Sequence, residues 1–167
     1  MYKHFDFNKE FLLKPVETIN EVLQTQFFQD LDIIDKDIVY YYKTLNLEYP
    51  SFFELICEEM PIGYVKTFIQ NQYRVLTEIY IIEDFRQLGL GTFILNSIRK
   101  EVKKNNLPLR TITLPSDRVA KNFYEASGIT TRALLMEEKR DKPRFRSCLL
   151  YTSDAADEGL GVDLGGR

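Results

Sequence analysis

At 167 residues, with 44% hydrophobic and 28% charged side chains and little glycine or proline, the chain suits one domain that buries its own core. Two cysteines and one histidine exclude a disulfide framework and a His/Cys metal centre. The net charge of −3 resides in the final stretch, where Asp154, Asp157, Glu158 and Asp163 outnumber Arg167, so the body is neutral and lacks the basic face of a nucleic-acid binder.

The N-terminus, MYKHFDFNKEF, lacks the basic-then-apolar layout of a secretory signal. No apolar run reaches the roughly 18 residues of a membrane span, so the cytoplasm is the expected compartment. A short strand near Phe5 is an open alternative. Val16, Ile19, Leu23 and Phe27 recur at helical spacing, which predicts an amphipathic helix over about Pro15 to Leu31. Asp35 to Leu47 reads as a second helix, wrapped by Tyr40, Tyr41 and Tyr42 and stopped by Pro50. Phe52 to Cys57 reads as a strand, Glu58 to Pro61 as a turn and Gly63 to Ile69 as the hairpin partner, with a longer strand from Arg74 to Ile82. A glycine-rich turn leads into a helix over Thr92 to Lys104, with Ile94, Leu95, Ile98 and Val102 on one face. Leu109 to Leu114 is a strand ended by Pro115. Ser116 or Asp117 can cap the following helix, which turns Val119, Phe123 and Ala126 inward and stops at Gly128. Thr131 to Glu138 closes the body as a strand. A meander leading into a β-α-β unit predicts an α/β (α+β) domain over residues 1–146, with a mixed, mostly antiparallel sheet covered by helices on both faces.

From Cys148 the pattern is lost. CLLYTSDAADEGLGVDLGGR carries four of the eight glycines and resembles, in two blocks, the translation of a transposase-type sequencing adapter. Residues 147–167 are therefore expected to be a non-native, disordered tail without function.

The stretch IYIIEDFRQLGLGTFILNSI carries the chemistry. Gly89 and Gly91 let backbone amides approach a ligand, the helix start adds free N–H groups and a positive dipole end, and Arg86 offers charge-assisted bonds. Together these make a pyrophosphate cradle. A dinucleotide fingerprint would need a third glycine at Ile94, and a P-loop would need Gly-Lys-Ser/Thr.

With its flanks, this stretch resembles the GNAT superfamily of acyl-CoA-dependent N-acetyltransferases. The family's Arg/Gln-x-x-Gly-x-Gly/Ala turn is matched by Arg86, Gly89 and Gly91. Its later helix motif is matched in spacing by Asp117, Ala120, Phe123, Tyr124, Gly128 and Ile129. The resemblance spans about Ile62 to Glu138. It implies acetyl-CoA as acyl donor and no metal. Ile81 and Ile82 would pair their backbone with the pantetheine arm. Arg86, Gln87, Leu88, Gly89, Leu90, Gly91 and Thr92 would hold the pyrophosphate through main-chain amides. Asp117 and Asn122 would lie near the cofactor, and Tyr124 would protonate the departing thiolate. Asp117 stands where the family usually has Asn, and a carboxylate cannot donate as an amide can. Ile129 replaces a Phe, one core hydrophobe for another.

The implied chemistry is direct attack of a primary amine on the thioester. Because an alkylamine is protonated at neutral pH, a base helps. Glu78, eight residues before Arg86 on the central strand, is the best placed, sharing a face with Leu76, Tyr80 and Ile82. It is otherwise a surface glutamate, with a water chain as base. Tyr124 is otherwise a core tyrosine. Tyr40, Tyr41 and Tyr42 fall where the family's first helices shape the acceptor cleft and could hold a cationic amine by cation–π attraction, although packing accounts for them equally. Cys57 reads as a small core residue, and His4 carries no assigned role.

The acceptor is a small-molecule or peptide amine, with no nucleic acid and no membrane, and whether the chain forms a homodimer stays open. The alternative is a non-catalytic CoA-binding sensory or interaction module. A toxin-like activity on charged tRNA is disfavoured by the neutral body.

Overall fold

In the computed structural model, residues 10–45 and 47–133 are described. The chain divides into two units, Met1–Thr131 and Arg132–Arg167, and the fold below belongs to the first. It runs β1 (Phe11–Val16), α1 (Glu21–Ile34), α2 (Lys36–Thr44), β2 (Ser51–Cys57), β3 (Met60–Gln70), β4 (Tyr73–Ile81), α3 (Leu90–Lys104), β5 (Leu109–Thr111) and α4 (Arg118–Ala126). The five strands lie in the order β1-β2-β3-β4-β5. All neighbours are antiparallel except β4 and β5. This is the expected mixed, mostly antiparallel sheet.

Helices cover both faces. On one, Leu90, Ile94, Ile98 and Val102 of α3 and Tyr124 of α4 pack on Leu55, Ile62, Val65 and Leu76. On the other, Leu23 of α1 packs on Tyr64 and Tyr80, while Leu31, Tyr42 and Leu114 form a cluster with α2. Cys57 is buried and free, a small core residue. No described helix is long and apolar enough to cross a membrane.

The first helix corrects the sequence reading. Pro15 and Val16 belong to β1, paired with Phe53 and Phe52 of β2. Proline is tolerated there because an edge strand need not donate from every amide. The helix begins at Asn20, whose Oδ1 accepts from the amides of Val22 and Leu23 at 3.0 and 3.3 Å and whose own amide donates to Glu54 Oε1 at 2.9 Å. Val16 and Ile19 thus match the helical period without being in the helix. The fourth helix also differs: Val119 is 82% exposed and Ala126 faces solvent, while Ala120, Phe123 and Tyr124 turn inward. The strand expected to reach Leu114 stops at Thr111, and Thr131 to Ala133 form no strand. The rest of that expected strand, the strand near Phe5, His4 and the tail lie outside the described residues.

Two features prepare the site. In β4 the register slips by one, Lys66 pairing with Glu78 and Thr67 with Leu76, so Thr77 is an extra residue whose hydroxyl donates to the Lys66 carbonyl at 3.1 Å. The bulge breaks the alternation: Leu76, Ile79 and Ile81 serve the α3 face, whereas Glu78 joins Tyr64 and Tyr80 beneath α1. Glu78 and Leu76 therefore do not share a face as the plain period suggested. Second, β5 pairs with β4 only from Arg74 to Leu76, flanked by bonds from the Arg74 amide to the Pro108 carbonyl and from the Ile112 amide to the Leu76 carbonyl. Beyond that point the pairing ends, and among the described residues the second half of β4 pairs with a strand on the β3 side alone.

Candidate active site

The stretch of β4 that lies beyond its pairing with β5 runs directly into the turn that follows it. Glu83–Phe85 forms one 3-10 turn, closed by bonds from the Phe85 amide to Ile82 and from the Arg86 amide to Glu83. Gln87 (φ 65°) and Gly89 (φ 78°) then adopt left-handed conformations, lifting Arg86, Gln87, Leu88 and Gly89 to the surface. Helix α3 starts at Leu90, two residues earlier than the sequence suggested. The first amide to bond back along the helix is that of Phe93, to the Gly89 carbonyl at 3.0 Å. The amides of Leu90, Gly91 and Thr92 are therefore N-terminal donors without an intrahelical acceptor, at the positive end of the dipole. Leu90 also anchors the turn, its side chain buried against the core. At Gly91 any Cβ would stand 3.3 Å from the Phe123 ring of α4, so glycine here sets how closely the two helices meet.

Along the open edge of β4 the strand period decides which groups are offered. The Ile82 amide donates to the Ile62 carbonyl of β3 at 3.0 Å and its carbonyl accepts from Phe85. Neighbouring residues of a strand direct their polar groups to opposite edges, so the amide and carbonyl of Ile81 point away from β3, into the gap. Of the pair named from sequence, Ile81 has its backbone turned to the gap and Ile82 has its amide already bonded.

Glu78 is no surface glutamate. It is 1% exposed, its Oε2 accepting from the Tyr64 hydroxyl at 2.8 Å and its Oε1 from Lys66 Nζ at 3.0 Å. The Tyr64 hydroxyl is pushed above its ordinary range by burial and then by the Glu78 charge. Tyr124 is 6% exposed, and burial pushes its hydroxyl up to about 12. Tyr42 donates to the Ile112 carbonyl at 3.4 Å. Its own proton is held more tightly by burial, then by the fields of Tyr124, Glu78 and Asp117. Of the tyrosine run, Tyr42 is buried, Tyr41 stacks edge-on to it at 5.9 Å, and Tyr40 is 73% exposed. Phe27 of α1 contacts Tyr42, Tyr64 and Tyr80 edge-on at 6.0, 6.0 and 6.2 Å.

Asp117 is the N-cap of α4, its Oδ1 accepting from the Ala120 amide at 3.0 Å, so the carboxylate where the family has an amide has a local structural task. Asn122 is exposed. The guanidinium of Arg86 is engaged within the chain: Nε donates to the Ile81 carbonyl at 2.7 Å and Nη2 to Asp30 Oδ2 at 2.6 Å. Sequence reading missed Tyr64, Lys66 and Asp30. Alternation could have placed Tyr64 opposite the central strand, but nothing local announces that Lys66 or Asp30 reaches across elements. Among the described residues no three His, Cys, Asp or Glu side chains converge.

Residues 16–129 match the model of the acetyltransferase (GNAT) family. No curated protein matches the sequence. Among solved structures, a single-site mutant of the BH1408 protein from Bacillus halodurans aligns with TM-score 0.63 at 15% identity, over 77% of this chain and 99% of its own. An acetyltransferase from Thermus thermophilus aligns with TM-score 0.54 at 22% identity, over 71% and 85%. The aminoglycoside acetyltransferase AAC(6')-Iy, in complex with a bisubstrate analogue, CoA-S-monomethyl-acetylneamine, aligns with TM-score 0.55 at 14% identity, over 78% and 99%. The family match, over more than half of the chain, leads to one conclusion: the chain belongs to the GNAT acetyltransferase family.

Proposed function

We propose that this protein moves an acetyl group from acetyl-CoA to a primary amine of a small molecule or peptide, by direct attack within a ternary complex. The observation that carries the reading is the exposed turn at Arg86–Gly89 feeding three free amides at the start of α3, set beside an unpaired stretch of β4. Such an arrangement suits a diphosphate and an extended amide-bearing arm at once. The family and the CoA-derived analogue on AAC(6')-Iy support it. A neutral body without a membrane-spanning helix among the described residues fits work in the cytoplasm.

When bound, acetyl-CoA supplies the activated thioester. The amides of Gln87 to Thr92 hold the diphosphate, and the Ile81 backbone orients the arm along β4. The enclosed Glu78 carboxylate, set by Tyr64 and Lys66, takes the proton that the amine loses on becoming an amide, directly or through water. Tyr124 would be the residue that meets the leaving sulfur. Since a thiol ionises near 8.5, complete transfer from a hydroxyl held at about 12 costs ~5 kcal/mol. Tyr124 therefore acts first as hydrogen-bond donor to the sulfur as charge develops, and the proton from the amine neutralises the thiolate in the net reaction.

A CoA-binding module without turnover is favoured by one observation, the Lys66 ion pair that already occupies Glu78. Thiol release from acetyl-CoA across a panel of amines separates the two. In the enzyme, Tyr124→Phe lowers kcat by about 10²-fold while CoA affinity, read by calorimetry, stays within twofold. No release with any amine, or equal rates in both proteins, defeats the assigned role.

A further inference from the structure

Arg86 is the cation of the cradle, yet its side chain does not extend from it. Nε is bonded to the Ile81 carbonyl at 2.7 Å, Nη2 to Asp30 Oδ2 at 2.6 Å, and the Tyr80 ring lies 5.4 Å from Cζ. Asp30 belongs to α1, so the ion pair ties that helix to the β4–α3 turn. The Ile81 carbonyl points away from β3, so the guanidinium lies against the open edge of β4, over the backbone group best placed to receive an amide donor. Both ends of the ion pair are near half exposed, at 43% and 45%. Pairs of that kind are weak and exchange readily. A diphosphate offers the same guanidinium charge-assisted, bidentate contacts.

We propose that Asp30 and the Ile81 carbonyl hold Arg86 as a latch across the β4 edge, and that the diphosphate of CoA opens it by taking the guanidinium. This rests on the cofactor placement given above. Opening does two things at once: it delivers a cation to the diphosphate and uncovers the Ile81 carbonyl for the pantetheine arm. Asp30 is then a positioning residue that sets the cost of loading, without touching the reacting atoms.

Calorimetric titration of the intact protein with CoA, and with pantetheine as an arm lacking the diphosphate, tests this. Asp30→Asn removes the competing charge, so CoA binds about three- to fivefold tighter at low salt, and the gain shrinks as salt screens the pair in the parent protein. Arg86→Met moves the two ligands in opposite directions: pantetheine binds more tightly because the carbonyl is uncovered, and CoA more weakly, by about tenfold, because a charge-assisted contact is lost. Thermal unfolding of each variant confirms that it is folded. Unchanged or weaker CoA binding in Asp30→Asn, or equal weakening of both ligands in Arg86→Met, overturns the latch. Thr92→Glu checks the placement separately, since the new charge favours the helix start while opposing a diphosphate there. If Thr92→Glu binds CoA like the parent, the placement fails and the latch with it. If Thr92→Glu weakens CoA and Asp30→Asn changes nothing, the latch alone is wrong.

Discussion

A carboxylate as enclosed as Glu78 is costly without partners, and the Tyr64 hydroxyl and Lys66 ammonium supply them. The period-2 reading put Glu78 on the central strand, but the extra residue Thr77 decided which neighbours it met. The buried tyrosines yield a prediction in pH. Burial raises the hydroxyls of Tyr42, Tyr64 and Tyr124 above the ordinary 10.0, Tyr124 to about 12. The unfolded chain therefore releases these protons first. The contribution of each to stability is complete below pH 10 and is lost as pH climbs towards its own raised value, which for Tyr124 is about 12. The urea midpoint should be flat from neutrality to about pH 9.5 and then fall, with phenolate absorbance rising together with unfolding. Tyr124→Phe should soften that fall, and a parent protein whose buried phenols titrate freely near 10 while still folded contradicts the enclosure.

At the scale of elements, the turn before α3 separates two uses of glycine. At Gly89 a Cβ meets nothing within 4 Å, so only its φ of 78° demands glycine. At Gly91 the neighbouring Phe123 ring is the constraint. Gly89→Ala should accordingly destabilise by about 1–2 kcal/mol through backbone strain, and Gly89→Asn by clearly less, since Asn tolerates the left-handed region. Denaturant unfolding of both variants measures this, and equal losses would mean that the strain account is wrong. Legibility varied with how local each signal was. Helix α3 was readable because its apolar stripe and glycine entrance are contiguous. The boundary between β1 and α1 was not, because Val16 and Ile19 satisfy a helical period by coincidence, and the deciding bonds come from Asn20 and from Glu54 in a distant strand.

For the whole molecule, we propose that the body of the chain suffices for folding and cofactor binding, with residues 147–167 adding nothing. A chain ending at Arg146 should match the full chain in unfolding midpoint and in CoA affinity, and a marked loss in either would assign the segment a function. The body also shows why a neutral surface and an anionic cofactor are compatible. On the proposed reading, the attraction would be assembled from oriented amides and one guanidinium at a single turn, without net charge elsewhere.

The order of elements from α2 to α4, the antiparallel-to-parallel switch in the sheet and the glycine turn before α3 were set by sequence alone, because each rests on contiguous residues with a fixed period or a required backbone conformation. Only the folded chain decided that Thr77 would bulge, that β4 and β5 would part after Thr111, and that Asp30 and Ile81 would engage Arg86. Those outcomes depend on contacts between residues far apart in the chain, whose energies arise only when the sheet and both helical layers are in place.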